Sequence, residues 1–148
     1  MSKRQFLALI ALIGVFLATY LTLYKVGAIG ALACQAGSCE TVQLSRWATF
    51  LGLPVAAWGI LFYIVLLALA LAGTSARAAD SRALSLALLA WTGWGVVFSS
   101  WLTYLELFVI RAICQYCVGS AVLVAIAFVV AYLDYRSTAT ARRALAVK

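Results

Sequence analysis

The chain has 148 residues, of which 67% are hydrophobic and only 10% are charged. That composition excludes a soluble globular domain and predicts a single membrane domain over residues 1–148. The net charge of +7 could indicate a nucleic-acid partner, but the basic residues lie at the ends of apolar runs. Membrane topology explains them better, so we expect no nucleic acid.

The first apolar run lies between Arg4 and Lys25, which bracket 20 uncharged residues. At 1.5 Å per residue, about 20 residues span a hydrocarbon core of roughly 30 Å. Residues 5–25 are therefore predicted to form the first transmembrane helix. Lys3 and Arg4 before an apolar run also resemble a secretory signal, with a poor lipoprotein cleavage box at 31–34. We favour a retained helix because the run exceeds the typical signal core of ~7–15 residues.

The first outer loop, residues 26–53, is the longest polar-leaning segment and contains Cys34 and Cys39. Residues 40–50 mix polar and apolar side chains, which predicts a short amphipathic helix at the membrane interface. Gly52 breaks the chain before Pro54, a residue suited to the first turn of a helix. The second transmembrane helix is predicted over 54–72.

A polar turn over 73–82 leads to the third predicted helix, 83–106, and a short connection leads to the fourth, 113–133. In the segment between the third and fourth helices, Glu106 and Arg111 are expected to form an interfacial ion pair. The basic tail after 133 is expected to be frayed or helical. The predicted fold is an all-α, four-transmembrane-helix bundle with a short amphipathic helix in the first outer loop.

The distribution of Lys and Arg predicts the orientation of the bundle. One side holds Lys3, Arg4, Arg77, Arg82, Arg136, Arg142, Arg143 and Lys148, whereas the opposite loops hold Lys25, Arg46 and Arg111. By the positive-inside rule, both termini are cytoplasmic in a multi-pass protein of the inner or plasma membrane. Both cysteine pairs then lie on the periplasmic or extracytoplasmic side, which is the oxidising compartment.

The four cysteines form two pairs, Cys34-x4-Cys39 and Cys114-x2-Cys117, and the chain has no histidine. Without histidine, an imidazole acid/base and a His-ligated metal site are excluded. Cysteines at i and i+3 share one face of a helix, close enough for a disulfide. At a helix N-terminus, the dipole lowers the pKa of the first thiol, and Arg111 would act in the same direction.

Three interpretations of the cysteines compete. They could form two structural disulfides of a non-enzymatic four-span membrane adaptor. They could also form a four-thiolate zinc site, but we disfavour this site and predict no bound metal. The third is a relay of thiol–disulfide exchange from the loop pair to the helix pair. We favour the relay because a purely structural disulfide need not lie at a helix N-terminus against the bilayer.

Exchange between sulfurs conserves disulfides, so forming new ones requires an electron acceptor. The chain contains neither a dinucleotide-binding fingerprint nor a haem-attachment Cys-x-x-Cys-His. A quinone dissolved in the bilayer could reach the helix pair and bind in an apolar, aromatic pocket within the bundle. The candidate proton donors are Glu106, Tyr104, Tyr116 and water.

Several motifs together resemble one family. Cys34-x4-Cys39 is followed by Ser45-Arg46-Trp47, by Gly59-Ile60-Leu61-Phe62-Tyr63 and by Cys114-x-x-Cys117. In this order they resemble the vitamin K epoxide reductase family, and residues 52–56 resemble its bacterial branch, here without a fused thioredoxin-like domain. The resemblance covers about residues 5–135. In the DsbB-type oxidases, by contrast, the Cys-x-x-Cys pair lies in the first outer loop.

The resemblance implies a disulfide-forming oxidoreductase with a quinone, of ubiquinone or menaquinone/vitamin K type, as acceptor. Cys34 would exchange with a soluble DsbA-like or thioredoxin-like protein in trans. Cys39 would form the inter-loop disulfide with Cys114, and Cys117 would face the quinone. The pocket positions implied are Ser45, Val55, Trp58, Tyr63 and Ala121.

Two of these pocket positions depart from the animal enzymes. Val55 and Ala121 stand where animal reductases carry an asparagine and a tyrosine. These departures disfavour the alternative of vitamin K epoxide reduction in the animal sense. On the third helix, Trp91, Trp94 and Trp101 lie close to one stripe, and we expect them to pack in or anchor to the bilayer rather than stack on a quinone. Gly14, Gly59, Gly93 and Gly95 are expected to allow close helix contacts.

Overall fold

The structure is a computed structural model that describes residues 1–35, 37–75, 78 and 80–146, with side chains as far as residue 141. Within this part of the chain, four helices are long and apolar enough to cross a membrane. This confirms the predicted four-helix membrane bundle. Arg77 and Lys148, which entered the charge argument, lie outside the described residues, as do the side chains of Arg142 and Arg143.

Five α-helices follow one another along the described residues. They are α1 (Lys3–Lys25), α2 (Cys39–Leu44), α3 (Val55–Ala72), α4 (Arg82–Tyr104) and α5 (Gln115–Ala146). α1 begins with a capping box, in which the Ser2 hydroxyl accepts from the Gln5 N–H and the Gln5 side chain accepts from the Ser2 N–H. α5 continues well past the predicted end at 133, so the described part of the basic tail is helical.

The outer loop is folded more tightly than a single amphipathic helix. α2 is six residues long, a 3-10 turn follows at Arg46–Ala48, and an antiparallel pair forms from β1 (Thr49–Phe50) and β2 (Leu53–Pro54). Both turn residues have positive φ, 52° at Leu51 and 80° at Gly52, as two-residue hairpins require. Pro54 therefore ends a strand directly before α3.

The third span does not end where the sequence predicted. After Tyr104 it continues as a π-helical segment, Leu105–Ile110, and terminates at Arg111, which has a left-handed conformation with φ 56°. The wider turn changes which residues face the bundle. As a result, Glu106 is buried whereas Arg111 is exposed.

The core of the bundle consists of apolar side chains from all four long helices. α1 packs against α3 and α5, and α4 packs against α5 and α3. Small residues on α1 allow this close approach. At Gly14, an added Cβ would lie 2.2 Å from the Tyr63 ring of α3, so only glycine fits there. Many large apolar side chains remain exposed around the bundle, as a lipid-facing surface requires.

A buried polar cluster ties the helices together at the end where the N-terminus lies. The Arg4 guanidinium pairs with the Asp134 carboxylate of α5 at 3.2 Å. It also donates to the carbonyls of Gly73 and Ala78 and to the Ser85 hydroxyl of α4. Ser85 in turn donates to Asp134 at 2.7 Å. One arginine on α1 thus contacts α4, α5 and the turn after α3.

Replacing Asp134 by Asn should destabilise the bundle by about 3 kcal/mol, because it leaves the buried Arg4 charge without a counter-ion. The measurement is chemical denaturation in detergent micelles followed by circular dichroism. Asp80→Asn is the matched control, since that carboxylate is exposed at the same end, and it should change stability by less than about 0.5 kcal/mol. Equal stability of the two variants would contradict the role given to the ion pair.

Candidate active site

All four cysteines meet at the end of the bundle opposite the Arg4 cluster. Cys39 begins α2, Cys114 directly precedes α5, and Cys117 lies in the first turn of α5. Cys39 and Cys114 are 1% and 0% exposed and belong to one buried cluster, against which Cys34 and Cys117 pack. The sulfur-bearing residues of the loop and of the helix are therefore neighbours, as a relay requires.

Backbone contacts hold the loop against the start of α5. Gly37 pairs with Cys114 in an antiparallel bridge, and the Ser38 N–H donates to the Ile113 carbonyl at 2.8 Å. Gly37 has φ 91°, and an added Cβ would lie 2.2 Å from the Ile113 oxygen, so a larger residue would break the bridge. The Tyr116 hydroxyl adds a hydrogen bond to the Ala33 carbonyl at 2.5 Å.

The two pairs differ in redox state. Cys34 and Cys39 form a disulfide, whereas Cys114 and Cys117 are thiols. The inter-loop disulfide between Cys39 and Cys114, which the family resemblance implies, is not the bond present here. It stays a prediction for an exchange intermediate, and burial of both residues in one cluster is compatible with it.

The Cys114 thiol is prepared for ionisation. A hydrogen bond from the Cys117 thiol lowers the pKa of Cys114 to about 7, and the N–H groups of Cys117 and Tyr116 at the start of α5 act in the same direction. Burial and the Glu106 carboxyl oppose them. The expected effect of the helix N-terminus is present, while Arg111, which was expected to help, is exposed and is not among the causes of the shift.

Glu106 makes contacts that the sequence analysis did not predict. Its side chain is buried, accepts the Cys114 N–H at 3.1 Å and is hydrogen-bonded to the Cys117 thiol. The expected ion pair with Arg111 was wrong, since Arg4–Asp134 is the only salt bridge among the described residues. The π-helical segment is the physical reason, because it turns Glu106 inward and leaves Arg111 outside.

Gln43 is a second site residue that the sequence analysis missed. It is 6% exposed on α2, and its side-chain amide donates to the Cys117 sulfur at 3.8 Å. Its backbone carbonyl accepts from the Lys25 ammonium at 2.5 Å, which anchors α2 to the end of α1. In the sequence, its place on the apolar side of a short amphipathic helix could have indicated a buried role. The direction of its side chain, however, depends on how the loop folds.

A cavity of about 420 Å³ opens beside Cys117. That volume lies in the range of small-molecule sites, and its wall is mainly apolar and aromatic. All five predicted pocket residues line it, namely Ser45, Val55, Trp58, Tyr63 and Ala121. Gln43, Glu106 and Ser120 supply polar groups to the same wall. The sequence thus identified positions that share one cavity, while their role towards a ligand stays a prediction.

Aromatic packing shapes this cavity. Trp91 stacks on Phe62 with ring centroids 5.6 Å apart, and its indole N–H donates to the Phe62 carbonyl at 3.0 Å. Phe62 lies against Gly95, where an added Cβ would be 2.5 Å from the ring. Trp91 and Trp94 both line the cavity, whereas Trp101 is not among the lining residues. The tryptophan stripe is therefore divided between the cavity and the outer surface.

The Tyr63 hydroxyl is fixed against α5. It lies 2.8 Å from the Ser120 hydroxyl and donates to the Ser120 carbonyl at 3.2 Å. Its ring occupies the space that Gly14 leaves open. Tyr63 therefore connects helix packing to the shape of the cavity.

The comparison with protein families agrees with the residues assembled here. Residues 5–132 match the model of the vitamin K epoxide reductase family. The matched region includes all four cysteines and every cavity residue named above.

Replacing Cys117 by Ala removes the hydrogen bond that stabilises the Cys114 thiolate. The pKa of Cys114 should then rise from about 7 towards the ordinary thiol value of about 8.5. Alkylation of Cys114 by iodoacetamide, measured by peptide mass spectrometry across a pH series, reports the pH at which half of the thiol is ionised. Burial slows the alkylation at every pH but does not change this midpoint. Val118→Ala, on an exposed side chain of the same turn, should leave the midpoint unchanged, and an equal midpoint in Cys117→Ala would refute this account.

Proposed function

Because the chain belongs to the vitamin K epoxide reductase family, whose members are in general quinone-linked thiol oxidoreductases, we propose that it forms disulfides in a soluble partner. The partner is a DsbA-like or thioredoxin-like protein supplied in trans, and the electrons pass to membrane quinone. One observation carries this proposal: a half-exposed cysteine, two buried cysteines and a cysteine on a cavity wall follow one another inward.

The outer step is exchange with the partner. A thiolate of the partner attacks Cys34, the bond between Cys34 and Cys39 breaks, and a mixed disulfide forms with Cys39 as the leaving thiolate. The second thiol of the partner then attacks this mixed disulfide, which releases the oxidised partner and leaves both loop cysteines reduced. Cys34 is the half-buried member of the pair, whereas Cys39 is 1% exposed, so Cys34 is the sulfur that a protein can reach.

The inner step moves the same two electrons to the helix pair. Cys39 attacks Cys114 of the oxidised helix pair, the bond between Cys114 and Cys117 breaks, and the inter-loop disulfide forms. Attack by Cys34 on Cys39 then restores the loop disulfide and releases Cys114. The redox state described above, with an oxidised loop pair and a reduced helix pair, corresponds to the end of this step.

The cavity fits a quinone head group. Its wall includes several aromatic rings and a few polar groups, and Cys117 lies on it. A bound quinone supplies the final acceptor for two electrons and two protons. Trp58 and Tyr63 would hold the ring. Ser45 closes the end of α2 by donating to the Val42 carbonyl at 2.7 Å. Ubiquinone and menaquinone types share this chemistry.

The alternatives have less support. A structural adaptor with two permanent disulfides would need neither the burial of Cys39 and Cys114 in one cluster nor the cavity beside Cys117. Epoxide reduction of the animal kind relies on polar side chains at two pocket positions, where this cavity presents Val55 and Ala121. Neither of these can donate a hydrogen bond.

Replacing any one of the four cysteines by Ser should abolish quinone reduction driven by a reduced thioredoxin-fold partner, followed by the absorbance change of the quinone. With a small dithiol as the electron source, Cys34→Ser and Cys39→Ser should retain activity, because the loop pair is needed only for exchange with a protein. Cys114→Ser and Cys117→Ser should lose both activities.

Ser100→Ala is the control for these variants, since Ser100 is exposed and its hydroxyl bonds only to the Val96 carbonyl of the same helix. It should behave as the wild type with both electron sources. Full partner-driven activity of Cys34→Ser would contradict the proposed order of exchange.

The proposed topology places both termini in the cytoplasm and the cysteines outside, because most of the basic residues lie at the end with the termini. A fluorescent protein that folds only in the cytoplasm should therefore fluoresce when fused after residue 148. Alkaline phosphatase, which is active only in an oxidising compartment, should be inactive at that position and active when inserted after residue 30. The reverse pattern would place the cysteines in the reducing compartment and exclude the proposed function.

A further inference from the structure

We propose that Glu106 is a catalytic residue, which accepts the proton of the Cys117 thiol when the helix pair is oxidised and passes it into the cavity. This inference rests on the proposed function and adds a residue to it. The family match does not assign such a role. The sequence alone favoured an ion pair for this side chain and named it as one of four candidate proton donors to the quinone.

The position of Glu106 is the first argument. Its side chain is 6% exposed, and it is hydrogen-bonded to the Cys117 thiol while accepting the Cys114 N–H at 3.1 Å. It also lines the cavity. One carboxyl group therefore touches a reacting sulfur and the space where the electron acceptor would bind, which is the geometry that a proton carrier requires.

The surroundings of Cys117 are the second argument. The Cys117 thiol interacts with the Cys114 sulfur and with the Glu106 carboxyl. The Gln43 amide also donates to the Cys117 sulfur, at 3.8 Å. If the proton moves to Glu106, this N–H stabilises the negative charge that develops on sulfur. Gln43 thus contributes a donor from α2 to the same sulfur.

No other acidic side chain of the described residues borders the cavity. The chain has four acidic residues and no histidine. Glu40 and Asp80 are exposed, and Asp134 pairs with Arg4 at the opposite end of the bundle. Among the residues described as lining the cavity, Glu106 is the one carboxylate. Two basic side chains of the same end of the bundle are engaged or exposed, since Lys25 binds the Gln43 carbonyl and Arg111 is exposed.

In the proposed step, the bond between Cys114 and Cys117 forms, and two electrons leave the sulfurs for the quinone, which becomes the quinol. One of the two protons required is that of Cys117, carried by Glu106. The other comes from water, which took up the proton of Cys114 when that thiol became a thiolate. Glu106 ends the step as the carboxylate with which it began.

The test compares Glu106→Gln with the wild type, because glutamine keeps the size of the side chain and can still accept the Cys114 N–H. Oxidation of the reduced helix pair by a water-soluble short-chain quinone is followed in a single turnover. The variant should be about 100-fold slower, a typical loss for general acid–base catalysis. The deficit should shrink at alkaline pH, where hydroxide can take the proton instead.

A second readout requires no quinone. In the reduced protein, the S–H stretching band of Cys117, identified by its disappearance in Cys117→Ala, should shift when the carboxylate acceptor is replaced in Glu106→Gln. A rate within twofold of the wild type, or an unshifted band, overturns the proposal. If the wild type itself fails to reduce quinone, the proposed function fails, while the infrared shift still decides whether Glu106 binds the Cys117 proton.

Two variants guard against misinterpretation. Asp80→Asn removes an exposed carboxylate at the far end and should leave rate and spectrum unchanged; a comparable loss there would show that the effect is not specific to Glu106 and would overturn the assignment. Should Glu106→Gln fail to fold, Glu106→Asp takes its place. Its carboxyl, one methylene shorter, no longer reaches the thiol, so the same slowing is expected and a wild-type rate refutes the role.

Discussion

The site depends on the short antiparallel contact that joins the outer loop to the residue before α5. The bridge between Gly37 and Cys114 and the hydrogen bond from Ser38 to Ile113 hold the loop at a fixed position beside a transmembrane helix. Sulfur exchange demands contact between the reacting atoms. A loop held by its own backbone can keep the sulfurs adjacent while the disulfide bonds change partners.

A bilayer makes every unpaired polar group costly, and this bundle satisfies its polar groups in two places. At one end, Arg4 and Asp134 neutralise each other across the bundle. At the other end, Glu106, Gln43 and the Cys117 thiol are among the polar groups of a mainly apolar cavity wall. No buried side-chain nitrogen or oxygen lacks a partner in the described part of the chain. The first cluster joins the helices, whereas the second contains groups that can exchange protons.

The space for a ligand follows from the same packing rules that hold the helices together. Gly14 admits the Tyr63 ring, and Gly95 admits the Phe62 ring, so α3 lies close to its neighbours at these two points. Between these contacts and the hairpin after α2, the wall stays open beside Cys117. Close packing in one part of a bundle and a cavity in another are therefore parts of one arrangement.

Hydropathy and charge are local properties that add along a chain, and for that reason the sequence alone determined the four spans, the loop between the first two and the pairing of cysteines near helix ends. The family resemblance added the five cavity positions. Which side chains face one another was decided only by the tertiary structure. The π-helical segment turned Glu106 inward, the fold of α2 directed Gln43 at Cys117, and the bridge at Gly37 set the loop beside α5. Each of these depends on rotation about an axis or on contacts between distant segments, and neither is encoded in the local pattern of residues.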